Sequence, residues 1–128
     1  MYAHITVKTD KVFTKADFDK YLSSDMVFTW GEKDGSGDRF TATLLNYLSQ
    51  WVFTDDYSEG RFSYNKFLVE GNSQNNLEKI YVKDVFTENY LPGTAQNSYM
   101  DWKVLCLVFE EIQGKYYLVA IVNDEWTI

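Results

Sequence analysis

With 128 residues the chain can fill one ordinary core but not two, and an aromatic fraction of 18%, from ten Tyr, nine Phe and four Trp, sets it apart from disordered sequences. Nineteen acidic against twelve basic residues leave a formal charge of -7, which opposes a phosphate backbone at long range and argues against nucleic acid as a partner. A single cysteine excludes an intrachain disulfide and a cysteine zinc cluster, and no apolar run reaches the ~18 residues of a membrane span.

Residues 2–8 alternate, with Tyr2, His4, Thr6 and Lys8 on one side and Ala3, Ile5 and Val7 on the other, which predicts an opening strand rather than a signal peptide. Thr14 followed by Asp17 has the form of a capping box, and Phe18, Tyr21 and Leu22 share one face of the short amphipathic helix that follows. Met26 to Trp30 reads as a compact strand that runs into a glycine-rich loop, Gly31 to Asp38. That loop lacks the ligand spacing of a calcium site and the Lys-Ser or Lys-Thr of a phosphate cradle, so it is read as turn chemistry with no metal. Leu44, Leu48 and Trp51, widened by Leu45 and Val52, predict a second helix over 42–53 with Thr41 as its cap.

Phe62, Tyr64 and Leu68 share a phase in a predicted strand from Arg61 to Val69, closed by the turn residues Gly71 to Asn76. Residues 77–90 fit either one bent strand or a helical turn followed by a strand, with Tyr81-Val82 and Val85-Phe86 favouring extended backbone. Pro92-Gly93 marks the next turn. Trp102 to Phe109 and Tyr116 to Val122 then form the clearest element, an antiparallel hairpin turning at Gly114, apolar enough on both arms to predict a central pair covered on both faces. Leu105, Leu107, Val119 and Ile121 are expected among its most buried positions.

The order of elements predicts one α+β domain over residues 1–128, a curved and mainly antiparallel sheet packed on two helices. Cys106, between Leu105 and Leu107, reads as a buried structural thiol, since no base accompanies it. Asp101, Asp124 and Glu125 gather at the open end of the hairpin, but geometry alone recommends them as an acid–base set, and no catalytic residue is assigned. Trp30, placed before a glycine loop, and the amides Asn65, Asn72 and Asn75 around a turn form the expected ligand-binding set, an aromatic with several hydrogen-bonding groups.

The C-terminal run Gly114 to Ile128, preceded by Met100-Asp101-Trp102-Lys103 and by Gly71 to Asn76, resembles the end of uncharacterised NTF2-like, cystatin-related α+β domains of bacterial cell-envelope lipoproteins and secreted proteins. The resemblance implies a cone-shaped fold and an exported parent protein, with a cytoplasmic location as the alternative, and carries over no catalytic residue or cofactor. The strand at Tyr2 to Val7 is extra to the basic NTF2 pattern. The resulting expectation is a noncatalytic binding or accessory domain for an unidentified small molecule or protein. Its rivals are a small acidic immunity or inhibitor protein that neutralises a basic toxin or nuclease, and an NTF2-like enzyme with its acid and base in the cone.

Overall fold

The computed structural model describes residues 10–33, 35–69 and 75–126, so the expected opening strand, His4 and Asn72 lie outside the described residues. The fold is α+β, with two antiparallel sheets and few, short helices. The described residues fall into two compact units, one over residues 10–55 and one over 56–126.

In the first unit, α1 (Lys15–Leu22) starts where the sequence places it. Thr14 Oγ1 accepts from the Asp17 amide at 3.1 Å and Asp17 Oδ2 accepts from the Thr14 amide at 3.3 Å, a complete capping box. Strand β1 (Val27–Glu32) pairs antiparallel with β2 (Arg39–Thr43), a strand the helical reading of 42–53 overlooks. Five residues that alternate Arg39, Phe40, Thr41, Ala42, Thr43 fit a strand as well as a helix start, and pairing with β1 decides between them. The helix therefore begins two residues later than expected, with the Thr43 hydroxyl, not Thr41, accepting from the Asn46 amide at 3.2 Å. Its single α-turn, α2 (Leu44–Tyr47), widens into a π-turn over Leu48–Val52, closed by the Phe53 amide donating to the Leu48 carbonyl at 2.7 Å.

The second unit is a four-stranded meander, β3 (Arg61–Tyr64), β4 (Val85–Leu91), β5 (Lys103–Ile112) and β6 (Lys115–Glu125), in that spatial order. The sequence ambiguity over 77–90 resolves as a helical turn, α3 (Leu77–Ile80), followed by β4. Strands β5 and β6 join through Gln113 and Gly114, both at positive φ, as a two-residue hairpin turn of matching twist requires. Alternation assigns Phe86 of β4, Val104, Cys106 and Val108 of β5, and Ala120 and Val122 of β6 to one face. Leu77, Phe67, Val69, Tyr81 and Trp102 complete the core there.

The hairpin is less completely covered than its composition suggests. Leu105 is buried, but Leu107 and Ile121 are half-buried and Val119 is 40% exposed. The register explains Val119: Val108 pairs with Ala120 and Phe109 with Leu118, which leaves Val119 as the extra residue of a bulge. Beyond the bulge Tyr116, Tyr117 and Leu118 are exposed on both faces.

Candidate functional site

The first unit is held together by rings. Phe13, Tyr21 and Phe28 meet edge to face, and Phe28 meets Trp30 at 5.9 Å. Trp30 lies flat on Tyr47, with centroids 3.8 Å apart and planes 3° from parallel, and its Nε1–H donates to the Ala42 carbonyl at 2.9 Å. Tyr47 passes the contact on to Phe40 at 6.1 Å, and Phe40 meets Trp51 edge-on at 4.5 Å. This chain of rings ends at the surface, where Trp51 is 43% exposed.

A groove of about 290 Å³ opens at that end, near the lower limit of the ~300–1,000 Å³ range of small-molecule sites. Phe40 and Trp51 form its apolar part. Asn46 and Gln50, four residues apart and hence on one side of their helix, supply amides, while Lys33 and Arg39 stand at the loop end of the β1–β2 hairpin. The π-turn carries Trp51, and its extra residue changes where that indole is aimed relative to Tyr47. Among the described residues that line it, Lys33 and Arg39 are the charged ones, and both are cationic in a chain of net charge -7.

The structure distributes the sequence-derived binding set across both units. Trp30 is half-buried in the ring stack of the first unit, where it braces Tyr47 behind the groove. Asn65 and Asn75 belong to the second unit, and the side-chain oxygen of each accepts from a backbone amide there. Asn65, at φ 52°, donates its amide to the Phe86 carbonyl and accepts from the Phe86 amide through Oδ1, both at 2.8 Å, so one residue reproduces a strand pair at the end of β3. Asn75 Oδ1 accepts from the Leu77 amide at 3.0 Å and starts α3. A smaller hollow of about 180 Å³ is lined by Asn65, Glu78, Tyr81, Val82, Asp84 and Phe86, without Asn75.

The second unit also holds a group that sequence reasoning passes over. Glu88, on β4, is 1% exposed, on the core face between Ser63 and Cys106 of the neighbouring strands. Its Oε1 accepts from the amides of Leu68 at 2.7 Å and Val69 at 3.3 Å, and Oε2 lies 4.0 Å from Cys106 Sγ. Burial raises its pKa, and the Asp124 carboxylate adds to the rise against the opposing effect of the two amides. The same burial, with the charges of Glu88 and Asp124, pushes the Cys106 thiol up to about 12, so at neutral pH it is a protonated core residue and not a nucleophile. A periodic sequence offers no hint of Glu88, because Thr87-Glu88-Asn89 looks like the polar interior of any half-exposed strand.

Glu88 lines neither hollow, and Oε1, its best-placed acceptor, is engaged by backbone; it acts as a strap that holds residues 68–69 over the sheet. The remaining carboxylates of the hairpin end do not converge as an acid–base set. Asp101 accepts from Asn97 Nδ2, the Thr94 amide and Thr94 Oγ1 at 2.6–2.8 Å, and these bonds, Asn97's first, lower its pKa to about 2. Asp124 is buried on the core face of β6, whereas Glu125, the next residue, belongs to the opposite face. No group of three or more metal-ligating side chains occurs among the described residues, and no helix among them is long and apolar enough to cross a membrane. Comparison with protein families, with curated proteins and with solved structures returns no match to this chain.

Proposed function

We propose that this protein is a noncatalytic binding or accessory domain, and that it takes its ligand in the groove of the first unit. The observation that carries the reading is Trp51, an exposed indole at the end of a relay of ring contacts, with amides and cations in the same concavity. Binding sites combine a rigid apolar surface with a few directional polar groups in this way. The Glu88 carboxylate, the strongest candidate for acid–base work, is enclosed and engaged by backbone amides, which favours binding over catalysis.

In this reading the chain is an NTF2-like module of the cell-envelope or secreted kind, as its resemblance implies. Its partner is a small molecule or the exposed part of a larger one, and Trp30 acts from behind by fixing Tyr47. The α+β composition with an antiparallel meander is compatible with the general α+β class that the resemblance implies.

A fragment library titrated into isotope-labelled full-length protein, followed by amide and indole NMR shifts, tests the proposal. Hits should move the Trp51 indole and the amides of Phe40, Asn46 and Gln50, and Trp51→Ala should weaken them tenfold or more, ~1.4 kcal/mol, while the protein keeps the dispersed spectrum of its folded state. Hits that gather instead around Asn65 and Tyr81, with Trp51→Ala indifferent, would place the site in the other hollow and sink this assignment.

A further inference from the structure

The charges around the groove narrow its ligand, an inference that rests on the binding reading above. Lys33 and Arg39 flank the turn of the β1–β2 hairpin, brought together because the Lys33 amide donates to the Asp38 carbonyl at 2.8 Å and Arg39 pairs with Glu32 across the strands. Both side chains are exposed, and neither forms an ion pair among the described residues. Glu32, opposite Arg39 in register, and Asp38, the chain neighbour of Arg39, do not line the groove, so their carboxylates offset the two cations from outside the site. Asn46 and Gln50 add neutral amides to the lining, together with the rings of Phe40 and Trp51, 62° apart.

We infer that the groove takes a small cyclic anion, a ring that lies against Trp51 and carries one carboxylate or phosphate between Arg39 and Lys33. A guanidinium pairs with either anion through two parallel N–H donors, and an indole face accepts either an aromatic ring or the C–H face of a sugar. The volume suits one ring with its substituent, or the terminal ring of a longer chain. A negatively charged protein repels such ligands at long range, so the local cations must supply the attraction, and affinity should depend strongly on both of them.

The test uses the full chain and four probes: D-glucuronate, glucose 6-phosphate, benzoate and, as the neutral control, D-glucose. Affinities come from calorimetry and positions from NMR shifts. At least one anion should bind with millimolar or better affinity and shift Arg39, Phe40 and Trp51, with glucose at least tenfold weaker. Arg39→Gln and Lys33→Gln should each weaken that anion about tenfold while preserving the dispersed spectrum of the folded protein, and Glu32→Gln should tighten it. Which anion binds separates a carboxylate from a phosphate ligand, and a sugar from an aromatic ring. If glucose binds as well as the anions and Arg39→Gln leaves affinity unchanged, the anion inference fails while the groove remains a binding site. Silence from all three anions also overturns the inference, and the Trp51→Ala comparison with fragments then decides the groove by itself. Binding that shifts only residues of the second unit overturns both.

Discussion

The two units reach stability by different means. The 56–126 unit buries a compact aliphatic and aromatic face on a four-stranded sheet, with Leu77, Phe86, Val104, Cys106 and Val108 all below 5% exposure. The 10–55 unit has only Leu44 and Val52 in that class among its described residues, and relies on ring-to-ring contacts between side chains that stay half-exposed. A sheet face can be sealed because each strand adds an alternating row to the same surface. A two-stranded hairpin beside two short helices has too little area to seal, so large rings bridge the gaps and the last of them faces solvent. The less perfectly buried unit thus ends its ring contacts at an exposed indole in a concavity, whereas the well-packed unit keeps its exposed rings, Tyr116 and Tyr117 among them, on the outer hairpin.

That contrast breaks first where packing is densest. Phe86→Ala removes a core ring that stacks on Phe67 at 4.8 Å, and should destabilise the protein by ~3–5 kcal/mol in urea denaturation. A loss below ~1 kcal/mol would mean that the sheet unit is no better packed than the hairpin unit, and would erase the distinction.

Glu88 sharpens the comparison, because it is the most deeply buried polar residue of the dense core. Glu88→Ala leaves the Leu68 and Val69 amides without their acceptor and should cost about 1–3 kcal/mol, whereas Glu88→Gln keeps an acceptor oxygen and removes the charge. The folded-state pKa is raised, so the native protein binds a proton more readily than the unfolded chain. The contribution is therefore fully present below the ordinary glutamate pKa and is lost as pH rises through the raised value. Denaturation midpoints measured across that window should decline in the parent protein and stay flatter in Glu88→Gln. An identical slope in both would show that Glu88 is not the group that titrates.

The smallest effect belongs to the hairpin unit. Thr14→Ala removes the hydroxyl of the capping box on α1 and should lower stability by ~1 kcal/mol. Because α1 contributes Tyr21 to the ring cluster, the amide shifts of Phe28 should respond while those of Val108 remain in place. Equal perturbation of both would show that the two units do not behave separately.

Local chemistry made several elements legible before any tertiary contact was known. The Thr14 capping box, the turn at Gly114 and the C-terminal hairpin each depend on residues within a few positions of one another and stand where the residues place them, whereas the strand expected over Met26 to Trp30 runs on through Gly31 to Glu32 because both pair with β2. The structural role of Cys106 was legible too, from its aliphatic neighbours. Trp30 belongs to the ring system that ends at Trp51, but to its inner end, since a tryptophan before a glycine does not reveal that Tyr47, seventeen positions on, will cover its face.

What the sequence by itself determined is therefore the class of the fold, the cap of α1, the turn at Gly114, and the acidic, aromatic character of the molecule, all set by short-range backbone preference and composition. Tertiary structure alone decided that residues 39–43 pair as a strand, that a bulge turns Val119 outward, that Glu88 is enclosed as a strap, and that Lys33, Arg39, Asn46 and Trp51 line one groove. Each of those outcomes turns on which distant residue comes to lie alongside, a matter of register and packing that no local pattern encodes.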